Sequence, residues 1–204
     1  ASCLVGSEMC IRDSINNLGL KDLGIETEAG AIKTDNFNRT NIENIYAIGD
    51  VCGPPWLAHV ASAQGYLAAE HSAGLNVNPI DYLNIPGCTY CQPQVGSLGM
   101  TEEQALSSGF KVKVGKFSFQ ASGKAMAIGN TIGFVKLIFD EKYGELLGAH
   151  IVGSEATEMI AELGMAKALE STWDDLSMTV HAHPTLSEAI MEAALDAQGY
   201  SIHQ

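Results

Sequence analysis

Apolar residues along this chain fall into two kinds of repeat, one on each side of a proline- and asparagine-bearing stretch. Before it, Ile45, Tyr46, Ala47 and Ile48 run together between Asn44 and Gly49-Asp50, the pattern of a short buried strand that ends at a glycine. A weak alternation through Ala31, Ile32 and Lys33 precedes it. Gly53-Pro54-Pro55 breaks regular structure. Residues 57–73 then read as a helix with Val60, Ala61, Gln64, Leu67 and Ala68 on one face. Residues 76–86 hold two prolines and three asparagines and mark the expected domain boundary.

Beyond that boundary the spacing predicts strands over 110–119 and 134–139, a turn at 140–144 and a return strand over 145–152. Ala156, Met159, Ile160 and Leu163 recur at helical spacing, with Ser154 as the expected cap and Glu155 and Glu158 in the first turn. A last helix starts at Leu186, carries Ala189, Ile190, Ala193 and Ala197 on one face, and stops at Gly199. The fold class expected for this half is α+β, an antiparallel sheet with flanking helices.

Composition narrows the function classes. With 204 residues, 46% hydrophobic and 17% charged, the chain lies in the globular range. Its formal charge of −13 repels phosphate backbones, so no nucleic-acid partner is expected. No apolar run is long enough to cross a membrane, because Lys136, His59 and Gln64 interrupt the most apolar segments. Five cysteines, an odd number, suit a reducing compartment: the cytoplasm, or a mitochondrial or plastid lumen. Residues 1–14 resemble translated adapter sequence more than native protein, so an unstructured or non-native leader is expected there, and the first residue, Ala1, suggests a fragment.

Three constellations could carry chemistry. Gly49-Asp50 follows a strand and precedes a helix. Asp50 can accept hydrogen bonds from a sugar hydroxyl, while the helix N-terminus favours an anionic group; a plain turn is the competing reading. Cys88 and Cys91 form a CxxC without a second metal half-site, which reads as ordinary buried cysteines. The run from His181 through His183, Pro184, Thr185 and Glu188 is sharper. Thr185-x-x-Glu188 is a capping box. Alternatively, Glu188 accepts a hydrogen bond from His183, an arrangement that fits a general base, a salt bridge or, least well, a metal ligand; no metal is expected.

Taken in order, residues 40–51, Leu57-Ala58-His59, residues 86–95 and residues 181–188 resemble the C-terminal part of the pyridine nucleotide–disulfide oxidoreductases. The closest likeness is to the branch that oxidises dihydrolipoyl groups. The resemblance implies a homodimeric flavoenzyme using FAD and NAD. Residues 15–78 would be the end of an α/β nucleotide-binding region, and 79–204 the dimerisation domain. It implies that Gly49, Asp50, Trp56, Leu57, Ala58 and His59 contact FAD. His183, oriented by Glu188 and preceding a cis proline, would be the catalytic base, acting in the other subunit's site. Dihydrolipoyl groups on the acyltransferase of a 2-oxoacid dehydrogenase complex would be the partner. Residues 155–198 carry nine acidic residues against Lys167 alone, a field suited to a basic docking domain. Trp56 and Cys91 replace the residues usual in the family, and the GxGxxG loop, the redox cysteine pair and the NAD-binding unit are not among these 204 residues. The alternatives are a glutathione-reductase-like enzyme and a non-catalytic dimerising module.

Overall fold

The computed structural model describes residues 15–203; the expected leader, 1–14, lies outside the described residues. The chain divides into two compact units, the first closing at Asp81 and the second opening at Tyr82.

In the first unit, β1 (Thr27–Glu28) and β2 (Ala31–Ile32) form a short antiparallel hairpin. Ile25, Ile32 and Ala47 make a small core to which Ile42, Ile45 and Val51 add. Residues 45–48, expected as a strand, make instead a single bridge between Arg39 and Tyr46 among the described residues. The reason is local. The Thr40 amide donates to the Ile45 carbonyl at 2.9 Å and the Ala47 amide to the Asn38 carbonyl at 3.0 Å, so the segment pairs across its own tight loop. A 3-10 turn, Gly49–Cys52, follows, and α1 (Ala58–Ser72) buries Val60, Gln64, Leu67 and Ala68, four of the five residues expected on its inner face.

The second unit is built on a five-stranded antiparallel sheet, in the order β3 (Gly87–Thr89), β4 (Gln94–Gly99), β7 (Leu146–Gly153), β6 (Phe134–Asp140), β5 (Val112–Ser118). The short helices α2 (Glu102–Ser107) and α3 (Gly123–Ala127) flank β5 in sequence. Then α4 (Ala156–Ala168), α5 (Trp173–Met178) and α6 (Glu188–Gln198) complete the unit. Alternation along β6 turns Val135, Leu137 and Phe139 toward the main core with Ile160, Leu163 and Ile190 of the helices, while Ile138 packs on the opposite face with Ala105 of α2. On β7, Leu146 joins Phe139 in the main core and Leu147 joins Ile138 behind it, and a bulge opposite Ile138 and Phe139 shifts the register there.

Two features place α6. It lies so near β5 that a Cβ at Gly115 would overlap the Ala193 carbonyl oxygen. The Asp196 carboxylate accepts the Lys116 amide at 2.9 Å, tying the far end of the helix to the same strand.

Three local expectations are corrected. Ser154 does not cap α4: its hydroxyl accepts from the Asn130 amide at 2.8 Å, and the N-cap is Glu155, at φ 57° without a side-chain cap. Cys91 is exposed and Cys88 half-buried, because Cys88 sits on edge strand β3 and Cys91 in the turn beyond it. Only half of the Thr185-x-x-Glu188 box forms. The Glu188 carboxylate accepts the Thr185 amide at 2.8 Å, but the Thr185 hydroxyl turns back to donate to the Ala182 carbonyl at 2.7 Å. Accordingly α6 begins at Glu188, two residues later than the pattern suggested.

Candidate functional site

The loop before α6 brings His183 and Glu188 together. A cis bond joins His183 to Pro184, the isomer expected from sequence. His183 Nδ1 lies 2.9 Å from Glu188 Oε1, and the other oxygen of that carboxylate receives the Thr185 amide. The imidazole is 78% exposed and the carboxylate 26%. Partial burial pushes the Glu188 carboxyl upward. The Thr185 amide, the hydrogen bond from His183 and the charges of His183 and His181 outweigh that push, and the carboxyl lies below its ordinary range. An ionised Glu188 therefore faces Nδ1, which suits an N–H there and leaves Nε2 as the nitrogen able to exchange a proton.

His181, two residues earlier, is a different kind of group. Its ring is 6% exposed, with Nε2 2.8 Å from Glu162 of α4 and Nδ1 2.9 Å from the Thr179 carbonyl. It fastens the base of the loop to α4, so that His183 is presented from an anchored segment.

Sequence reasoning passed over Glu192 and His203. Glu192 lies one helical turn beyond Glu188, is 3% exposed, and accepts from the Ile202 amide at 3.1 Å; its other oxygen lies 2.7 Å from His203 Nδ1. The available signal was the four-residue spacing of Glu188 and Glu192 on a helix whose other inward positions are alanine and isoleucine. His183, Glu188, Glu192 and His203 line one cavity of about 250 Å³, walled also by Phe117, Met126 and Met191.

In the first unit, Asp50 and Trp56 line a cavity of about 480 Å³ with Lys33, Thr34 and Cys52. Gly49, Leu57, Ala58 and His59, the other expected cofactor contacts, lie outside its lining. Gly49 has φ 73°, and its amide donates to Gln64 Oε1 at 2.7 Å, which fixes the turn against α1. Gln64, a polar residue on the apolar face of α1, is thus the residue that aims Gly49-Asp50. Burial pushes the Cys52 thiol up to about 11, against a hydrogen bond with Thr34 that works the other way. Leu57 is the N-cap of α1 and makes no side-chain cap, so the start of the helix presents backbone amides of partial positive charge. A carboxylate for sugar hydroxyls, a tight glycine turn and a helix start are a donor and acceptor set that fits a dinucleotide such as FAD.

Comparison with known proteins agrees in both units. Over 194 residues, 95% of the chain, it is 51% identical to the dihydrolipoyl dehydrogenase of Rhizobium etli, covering 40% of that protein. It is 52% identical to the dihydrolipoyl dehydrogenase of Zymomonas mobilis over 93% of the chain and 41% of that protein. The chain thus spans about 40% of the length of the curated relatives it matches. Among solved structures, LpdA of Mycobacterium tuberculosis superposes with a TM-score of 0.83 at 28% identity, over 88% of this chain and 39% of that one. The HOCl-induced flavoprotein disulfide reductase RclA of Escherichia coli gives 0.80 at 27% identity, over 86% and 41%. Residues 10–65 match the pyridine nucleotide-disulphide oxidoreductase family, and residues 85–194 match its dimerisation domain. With more than half of its length inside that second match, the chain belongs to the pyridine nucleotide-disulphide oxidoreductases.

Proposed function

We propose that this chain is part of a dihydrolipoyl dehydrogenase and supplies its dimerising unit and its proton-accepting histidine. The observation that carries the reading is the His183–Glu188 pair at 2.9 Å in a chain about half identical to enzymes of that name.

Oxidising a dithiol to a disulfide removes two electrons and two protons, and the sulfur that attacks must be a thiolate. At neutral pH a thiol of pKa about 8.5 is mostly protonated. His183 Nε2 takes the proton of the attacking thiol, while Nδ1–H stays hydrogen-bonded to Glu188, whose charge stabilises the imidazolium that forms. FAD and NAD, when bound, supply the acceptors for the two electrons. Asp50 would hold hydroxyls of the FAD sugar chain; Gly49, Trp56, Leu57, Ala58 and His59 would lie along it. The enzyme is a homodimer in which His183 acts at the other subunit's disulfide, in keeping with the dimerisation-domain match.

The substrate would be dihydrolipoyl groups on the acyltransferase of a 2-oxoacid dehydrogenase complex. The acidic surface of residues 155–198 would steer a basic docking domain, although Glu162, Asp175, Glu188, Glu192 and Asp196 of that run are occupied in internal hydrogen bonds. No helix among the described residues is long and apolar enough to cross a membrane.

The test is an activity assay on the chain extended upstream to the length of its relatives and loaded with FAD. NAD-dependent oxidation of dihydrolipoamide, far faster than reduction of oxidised glutathione, is expected. The reverse preference would make it a glutathione-reductase-like enzyme, and inactivity toward both would leave a dimerising module.

A further inference from the structure

Glu188 and Glu192 stand four positions apart, about one turn of α6, and the two carboxylates repeat a single bonding scheme. Each gives one oxygen to an imidazole Nδ1 and the other to backbone amide. Glu188 holds His183 and the Thr185 amide, whereas Glu192 holds His203 at 2.7 Å and the amides of Ile202 and His203 at 3.1 and 3.3 Å. A carboxylate as buried as Glu192 costs stability unless such partners satisfy it. Here the partners come entirely from the segment that follows α6. That segment forms no helix or strand, Tyr200 and Ile202 are exposed, and the Tyr200 amide donates to the Leu195 carbonyl at 2.9 Å. Glu192 is what takes up its last two described residues, through the amides of Ile202 and His203 and the His203 ring.

The segment lies where it matters. His203 and Glu192 line the same cavity as His183 and Glu188. The remaining walls, Phe117, Met126 and Met191 among them, are apolar except for Ser122, and among the described residues no lysine or arginine lines the cavity.

We propose that Glu192 and His203 form a latch that holds His203 as a wall of the His183 cavity, and that this wall confines the arm carrying the substrate thiol. Both are positioning residues. Glu192 fixes the segment, His203 transmits the hold, and proton transfer stays with His183. The substrate part of this inference rests on the functional reading above; the latch itself does not.

The test uses the upstream-extended, flavin-loaded dimer and two readouts on each protein: steady-state oxidation of free dihydrolipoamide, and hydrogen exchange at the Ile202 and His203 amides. In His203→Ala both amides should exchange at least tenfold faster, KM should rise about fivefold or more, and kcat should stay within about twofold. His203→Asn, whose side-chain amide can donate from the position of Nδ1, should recover most of the KM and the protection. Glu192→Gln should resemble His203→Ala; if burying a lone amide there prevents folding, the His203 pair carries the test. Faster exchange with unchanged KM would overturn the wall, unchanged exchange would overturn the latch, and a fall in kcat at constant KM would make His203 a proton carrier. Failure of the functional reading looks different: the unsubstituted enzyme then turns over no dihydrolipoamide, and the exchange readout alone decides the latch.

Discussion

Glu188 holds His183 by one carboxylate oxygen and the Thr185 amide by the other, so the residue that fixes the start of α6 also orients the ring. The two roles make different predictions for two substitutions. His183→Gln removes the only group proposed to accept the thiol proton. In the extended, flavin-loaded dimer kcat should fall on the order of 10²–10⁴-fold, with the dimer intact by size-exclusion chromatography. Glu188→Gln keeps one acceptor oxygen for two donors and loses the charge, so a smaller loss of kcat is expected. Near-normal turnover by the His183→Gln dimer would leave the pair with a structural task alone.

The depressed Glu188 carboxyl gives a pH dependence whose sign is fixed. A carboxyl that ionises more readily folded than unfolded contributes stability above its unfolded value, about 4.3. That contribution is lost as pH falls from there through the lower folded value. Urea midpoints measured across this range should fall with pH in the native chain, and Glu188→Gln should show a shallower slope. Equal slopes would mean that the hydrogen bonds from Thr185 and His183 do not favour the charged form.

If Asp50 holds the FAD sugar chain as proposed, Asp50→Ala in the upstream-extended enzyme should purify with reduced flavin while keeping its helix content. Flavin absorbance per protein measures this directly, and full occupancy would remove Asp50 from the site. Substituting Gln64 with Leu should produce a weaker version of the same loss, because Gln64 Oε1 holds the Gly49 amide at 2.7 Å and thereby the turn that carries Asp50.

Much of the second unit was legible because its elements announce themselves by period. The alternation of Val135, Leu137 and Phe139, and the helical spacing of Met159, Ile160 and Leu163, each reflect one face meeting one core. His183 and Glu188 were legible as a pair because five residues of chain, with a proline and a helix start, leave them few other places to be. What escaped depended on contacts across sequence distance. Glu192 and His203 are eleven residues apart, and no pattern links a helix to a segment that docks back on it. His181 received no role of its own from the sequence, because Glu162, which makes it a buried anchor, lies nineteen residues away. Residues 45–48 were misread for the opposite reason: an apolar run fixes neither burial nor pairing partner, and here the partner was the preceding loop and only Ala47 of the four is buried.

The approach of α6 to β5 gives the last prediction, because it connects the sheet to the candidate base. At Gly115 a Cβ would overlap the Ala193 carbonyl oxygen and crowd the Ala197 amide, and both obstacles are helix backbone that cannot rotate aside. Gly115→Ala must therefore lift α6 or bend β5, an overpacking cost of about 1–3 kcal/mol. The Lys116 amide, bonded to Asp196 at 2.9 Å, resists the lift at the far end of the helix, so the displacement should concentrate toward its start. Glu188 is the first residue of that helix, and its hold on His183 should loosen. In the extended enzyme, Gly115→Ala should lower the urea midpoint and also lower kcat at temperatures where the protein remains folded. Gly123→Ala is the control, since a Cβ there meets nothing within 4 Å. If Gly115→Ala proves as stable and as active as Gly123→Ala, close packing of α6 on β5 does not position Glu188, and the loop anchored by His181 and Glu162 must set the geometry of His183 by itself.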